Sequence, residues 1–111
     1  MNNFRKAYVY LLDKYAGLLE ETDEGYSFKY DETYLKDNAN PPISLTMPLK
    51  DSSYKTNILF PFFDNLIPEG YLLNLVVNNW KIDRNDRFSL LLVTAKDPIG
   101  KVTIKEVKDD E

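Results

Sequence analysis

The chain is 111 residues long, the size of one domain, and it is 43% hydrophobic, 14% aromatic and 29% charged, the balance of a folded protein rather than a disordered one. Cysteine and histidine are both absent, which excludes disulfides, thiolate or histidine zinc sites and every nucleophilic triad built on histidine. The net charge of −4 repels phosphate backbones at long range, so direct binding of nucleic acid is not expected.

From the N-terminus, residues 6–12 (KAYVYLL) are β-branched and aromatic and suit a strand. Their apolar run ends at Asp13 and Lys14, too short for a leader peptide or a membrane span, and the chain is expected to be cytoplasmic. Residues 13–17 (DKYAG) have turn chemistry, and residues 18–21 (LLEE) fit a second strand. A turn at 23–25 leads to YSFKY (26–30), where Tyr26, Phe28 and Tyr30 alternate with Ser27 and Lys29, the period of a half-buried strand. An antiparallel three-stranded meander is therefore expected. Asp31 is placed to cap a short helix over 31–37, and NANPP (38–42) reads as a loop. ISLTMPL (43–49) alternates Ile43, Leu45 and Met47 and predicts a fourth, edge strand limited by Pro48, followed by a polar connection over 50–57.

From residue 58 the pattern becomes helical. ILFPFFDNLI accepts Pro61 in its first turn, and Pro68 and Glu69 open the next helix, PEGYLLNLVVNNW. In that helix Leu72, Leu75, Val76 and Asn79 form one stripe and Leu73, Val77 and Trp80 a second, a wide apolar surface touched on more than one side. Asp83 is expected to cap a further helix through Ala95; KDPIG (96–100) is a turn and KVTIKEV (101–107) a last strand. The charged tail, about 108–111, is expected to fray. Strands, then helices, then one strand predict a single α+β domain over 1–111: an N-terminal antiparallel meander with an added edge strand, a helical second half and a C-terminal strand.

Catalytic constellations are hard to draw. Gly17, Gly25, Gly70 and Gly100 lie too far apart for a phosphate loop and read as turn residues. The acidic clusters at Glu20–Glu21, Asp23–Glu24 and Asp109–Glu111 read as solvated turns or tail, and DRND (83–86) lacks the glycine and terminal glutamate of a calcium loop. No catalytic residue, metal site or cofactor is assigned. Trp80, the only tryptophan, sits between Asn79 and Lys81 and is readable either as a core cap or as a partner's anchor. In FFDNLIPEG (62–70), Asp64 and Asn65 are readable as ligands or partner contacts, or as side chains serving the local backbone.

That same stretch resembles the Phe-Phe-Asp/Glu-Asn-Leu-Leu-Pro-Glu/Asp segment in the N-terminal subdomain of HipA-type toxin kinases. The likeness continues in order through YSFKYDETYL (26–35), PPISLTMPL (41–49), RFSLL (87–91) and KDPIGKVTI (96–104). It covers about residues 6–107, with Ala95-Lys96 standing where the family often has Gly-Arg. In that family the kinase machinery follows this subdomain, and Glu111 ends the chain before it. The resemblance therefore implies a free-standing, non-enzymatic, HipS-like antitoxin of a bacterial HipBST-type system. Its implied partners are a HipT-like serine/threonine kinase and a HipB-like helix-turn-helix protein. Trp80 is the expected anchor, with Asp64, Asn65 and Glu69 as polar contacts. A structural or activating subunit of a split kinase is the rival reading, and a small carboxylate enzyme a more distant one.

Overall fold

A computed structural model describes residues 4–95 and 101–107. Its elements run β1 (Lys6–Leu11), β2 (Lys14–Thr22), β3 (Gly25–Tyr30), α1 (Glu32–Lys36), β4 (Tyr54–Thr56), α2 (Pro61–Asp64), α3 (Gly70–Trp80), α4 (Arg87–Thr94) and β5 (Val102–Glu106). The sheet is antiparallel in the order β4-β3-β2-β1-β5. This is the α+β arrangement expected from the sequence, with the C-terminal strand closing against β1.

The meander forms because its apolar residues fall on alternate positions. Ala7, Val9 and Leu11 of β1, Leu19 of β2, Phe28 and Tyr30 of β3 and Ile104 of β5 all point to one buried face. The first turn is shorter than the sequence suggests. Leu12 and Asp13 alone make it, both with positive φ, the geometry whose twist matches a two-residue hairpin. Leu12 would be strained there; its N–H is held by the Lys101 carbonyl at 2.9 Å. The strand β2 therefore starts at Lys14, and Gly17 is a strand residue rather than a turn residue. It has no room for a side chain: a Cβ would lie 2.4 Å from the Lys29 carbonyl oxygen and 2.7 Å from the Phe28 ring. Gly17 lets Phe28 lie across the backbone of β2. Glu20 and Glu21 likewise belong to β2, not to a turn.

The fourth strand is not where the alternation puts it. Residues 43–49 form a tight turn closed by a single bridge, Ser44 to Met47. Leu45, at its tip, is 95% exposed. Two of the three alternating residues, Ile43 and Met47, are buried because the Tyr30 phenol draws both ends inward. Its oxygen accepts from the Ile43 N–H at 3.0 Å and its hydroxyl donates to the Met47 carbonyl. Burial pushes the Tyr30 hydroxyl up to about 12. The true edge strand, β4, lies in the segment read as a polar connection and pairs Tyr54 with Phe28.

Asp31 caps α1 as expected, accepting from the Thr33 and Tyr34 N–H groups. Behind it Asn40, a buried polar residue, accepts from Lys14 Nζ at 2.8 Å and donates to the Tyr34 carbonyl at 3.1 Å. The helices α2 and α4 cover the buried face of the sheet. Phe63 of α2 packs on Phe28 with centroids 5.7 Å apart, and Phe88 of α4 stacks on Tyr26 at 6.0 Å. The turn expected at 96–100 and the tail at 108–111 lie outside the described residues. Among the described residues no helix is long and apolar enough to cross a membrane.

Candidate partner-binding surface

The second half of the chain builds a joint and then a projecting helix. Pro61 sits in the first turn of α2, where its missing N–H costs nothing. The chain leaves α2 through Asn65 and Leu66, whose N–H groups reach the Pro61 and Phe63 carbonyls. Phe63 and Ile67 are buried, so the apolar half of FFDNLIPEG packs inward. The helix α3 begins after Glu69, which is extended and makes no side-chain cap, so Pro68 and Glu69 stand just outside the helix they were expected to open. Gly70 has φ +63 with open space around it. The helix ends on Lys81, whose left-handed backbone returns its N–H to the Val77 carbonyl.

Asp86, not Asp83, caps α4: its carboxylate accepts from the Ser89 N–H at 3.2 Å and the Ser89 hydroxyl at 2.7 Å. Asp83 instead accepts from the Asn85 N–H at 2.9 Å, an Asx turn that feeds the cap. The Arg5 guanidinium then ties Asp86 to the sheet. It donates to Glu21 at 2.8 and 2.9 Å and to Asp86 at 3.0 Å, and it lies 5.0 Å from the centre of the Phe88 ring. The Arg5 hydrogen bond holds the Glu21 carboxyl below its ordinary value despite partial burial. Partial burial pushes Asp86 up, but the Ser89 and Arg5 hydrogen bonds outweigh it and the net shift is downward.

The four expected contact residues have different settings. Asp64 accepts from Arg87 Nε at 2.7 Å and so fastens α2 to the start of α4. Asn65 and Glu69 are exposed on the α2–α3 joint. Trp80 is 54% exposed at the far end of α3, roughly 16 Å along the axis from Glu69. The four do not converge. Between them lies a surface that single-residue reasoning missed: Tyr71 is 74% exposed, Leu72 59% and Leu75 38%, while Leu73 on the other stripe is buried. Ile58, ahead of α2, is also exposed. The signal for this face was the double apolar stripe of α3, more than one core contact needs.

Two clefts lie elsewhere. One of about 420 Å³ is lined by Asp23, Glu24 and Lys55, and another of about 530 Å³ by Lys14, Tyr15 and Asp31. In the second, Asp31 is engaged in capping α1 and Lys14 in holding Asn40.

The model of the HipA N-terminal domain family matches residues 7–105. The chain belongs to this family. An uncharacterised protein of Haemophilus influenzae is 35% identical over 104 residues, covering 94% of both chains. A Sinorhizobium fredii protein named "Putative kinase Y4dM" is 28% identical over 90 residues, which is 76% of this chain and 22% of that protein. A solved structure, the N-terminal domain of HipA toxin, superposes with a TM-score of 0.74 at 26% identity and covers 99% of each chain. The HipA N-terminal domain links this chain to toxin–antitoxin proteins.

Proposed function

We propose that the protein is an antitoxin that binds a HipT- or HipA-like serine/threonine kinase in trans and neutralises it without catalysis of its own. The observation that carries this reading is the exposed apolar face of α3, Tyr71, Leu72 and Leu75, together with Trp80, exposed at the last residue of the helix on the neighbouring Leu73 stripe. Apolar patches of this kind on small proteins mark interaction sites. Membership of the HipA N-terminal domain family supplies the kind of partner. A domain of this family joined to a kinase would cover such a face within one chain; supplied separately, it offers the face to a kinase body. Trp80 is the proposed anchor and Glu69 and Asn65 the polar rim, while Asp64 acts through the joint it braces. A HipB-like helix-turn-helix protein completes the proposed assembly.

The second reading, a structural or activating subunit of a split kinase, is favoured by the Sinorhizobium fredii relative, of which this chain matches only a part. Co-expression separates the two. An antitoxin restores growth to cells making the cognate kinase, whereas an activator deepens the toxicity. Binding tests the anchor: Trp80→Ala is expected to weaken kinase affinity by more than about tenfold, and affinity within about a factor of two of wild type would remove Trp80 from the interface.

A further inference from the structure

The face of the sheet turned away from the helices carries chemistry that the α3 surface does not use. Residues paired across strands share a face, so the register defines a row that crosses four strands. Lys105 of β5 opposes Tyr8 of β1, Tyr8 opposes Leu18 of β2, and Leu18 opposes Lys29 of β3. The row reads cation, aromatic, aliphatic, cation. Lys29 and Lys105 are exposed, and Tyr8 is 38% exposed. On the same face Lys6 opposes Glu20, and Lys55 of β4 opposes Ser27. In a chain of net charge −4, the outward strand positions thus gather lysines against one acid, Glu20, which is 3.5 Å from Lys6.

We propose that this face docks an extended acidic segment of a partner protein, with carboxylates at positions i and i+4 over Lys29 and Lys105 and an apolar side chain at i+2 over Tyr8 and Leu18. The spacing carries it. Lys29 and Lys105 stand three strand spacings apart, about 14 Å at ~4.8 Å each. An extended chain rises ~3.3 Å per residue, so its i and i+4 side chains lie about 13 Å apart and share one side with i+2. The chemistry agrees. Ammonium groups and phenols donate hydrogen bonds, and a carboxylate only accepts them. An apolar centre flanked by charge is also the usual anatomy of a protein interface.

A single-stranded nucleic acid fits less well, because it needs open ring faces for stacking. Here Tyr15 packs edge-on against Tyr8 at 5.5 Å, and Lys105 Nζ lies 5.5 Å from the centre of the Tyr10 ring.

The test is a titration of the whole chain with a synthetic peptide, Ser-Gly-Glu-Ser-Leu-Ser-Glu-Gly-Ser, followed by amide chemical shifts at low salt. Shifts centred on Tyr8, Leu18, Lys29 and Lys105 are expected, with binding that weakens as salt rises. The double variant Lys29→Glu, Lys105→Glu should lose at least about tenfold in affinity. Lys29→Gln, Lys105→Gln, which is neutral at both positions and does not repel the peptide's carboxylates, should lose less, and thermal melts of both variants should overlay the parent. A peptide with its two glutamates adjacent should bind more weakly. No binding, shifts elsewhere, equal binding of the two peptides, an unaffected charge-reversed variant, or tighter binding of an oligothymidylate of similar length would each overturn the proposal. None of these outcomes touches the α3 face, so the kinase reading stands or falls separately.

Discussion

Helix α3 has eleven residues and buries one of them, Leu73, whereas α4 has eight and buries three, Phe88, Leu90 and Leu91. Both are rich in leucine and valine, so composition does not separate them; anchorage does. The helix α4 is capped by Asp86, clamped to the sheet through Arg5, and bonded at its end to β5 by the Ile104 N–H on the Ala95 carbonyl at 2.9 Å. The helix α3 starts without a side-chain cap, and Arg84, in the loop that follows it, donates to Asn74 at 2.6 Å. One helix completes the core, and the other carries apolar surface beyond what the core takes up. Contiguous apolar surface of this kind is the material of protein interaction sites.

The largest expected effect lies in α4. Phe88 is fully buried between Tyr26 and the Arg5 guanidinium. Replacing it with alanine opens a cavity in the layer that joins helix to sheet, and Phe88→Ala should cost about 3–5 kcal/mol in urea denaturation. A loss under about 1 kcal/mol would mean that α4 is not the core helix and would erase the contrast with α3.

A smaller effect is expected at the clamp. Arg5→Ala leaves two carboxylates facing each other and removes a side chain packed on Phe88, for a loss of about 1–2 kcal/mol at neutral pH, since the groups are partly exposed and screened. The pH dependence identifies the cause. Glu21 and Asp86 are held below their ordinary values of 4.5 and 3.8 in the folded protein. Their contribution is therefore fully present above those values and is lost as pH falls through the depressed ones. Wild type should lose stability on acidification more steeply than Arg5→Ala, and the gap between them should narrow. A gap that stays constant in thermal melts from neutral to acid pH would make Arg5 a packing residue only.

Much of this contrast can be read from the sequence, but unevenly. The meander, the Asp31 cap, the short helix after Pro61 and the last strand follow from alternation, capping and proline rules that act over a few residues. The misplaced fourth strand shows where such rules stop. Ile43, Leu45 and Met47 alternate like a strand, yet a hydrogen-bonded phenol from Tyr30, thirteen residues before Ile43, folds them into a turn. The Asp83–Asp86 choice is of the same kind. Both can cap, and Arg5, 81 residues away, engages Asp86. At the candidate surface the double stripe of α3 was visible. Which stripe faces the core depends on how the sheet and α4 approach it, and no local pattern carries that.

The exposed stripe of α3 offers the smallest effect on stability and the sharpest break in the comparison. Leu72 and Leu75 are 59% and 38% exposed, so Leu72→Ser with Leu75→Ser removes less buried area than a change in the core. The double variant should lose no more than about 1 kcal/mol in urea denaturation, about 0.5 kcal/mol for each of two surface changes. Serine is a weaker helix former than leucine, and that difference accounts for most of any small loss. In the same preparation, affinity for the cognate kinase should fall by more than tenfold, because two apolar contacts leave the centre of the proposed interface. A stability loss of 2 kcal/mol or more would show instead that this stripe is internal support and that α3 is held as firmly as α4. Unchanged stability with unchanged affinity would leave α3 exposed and move the kinase contact elsewhere. Loss of binding at constant stability is the one outcome that a core-completing helix could not produce, and it is the outcome that the division of labour between α3 and α4 requires.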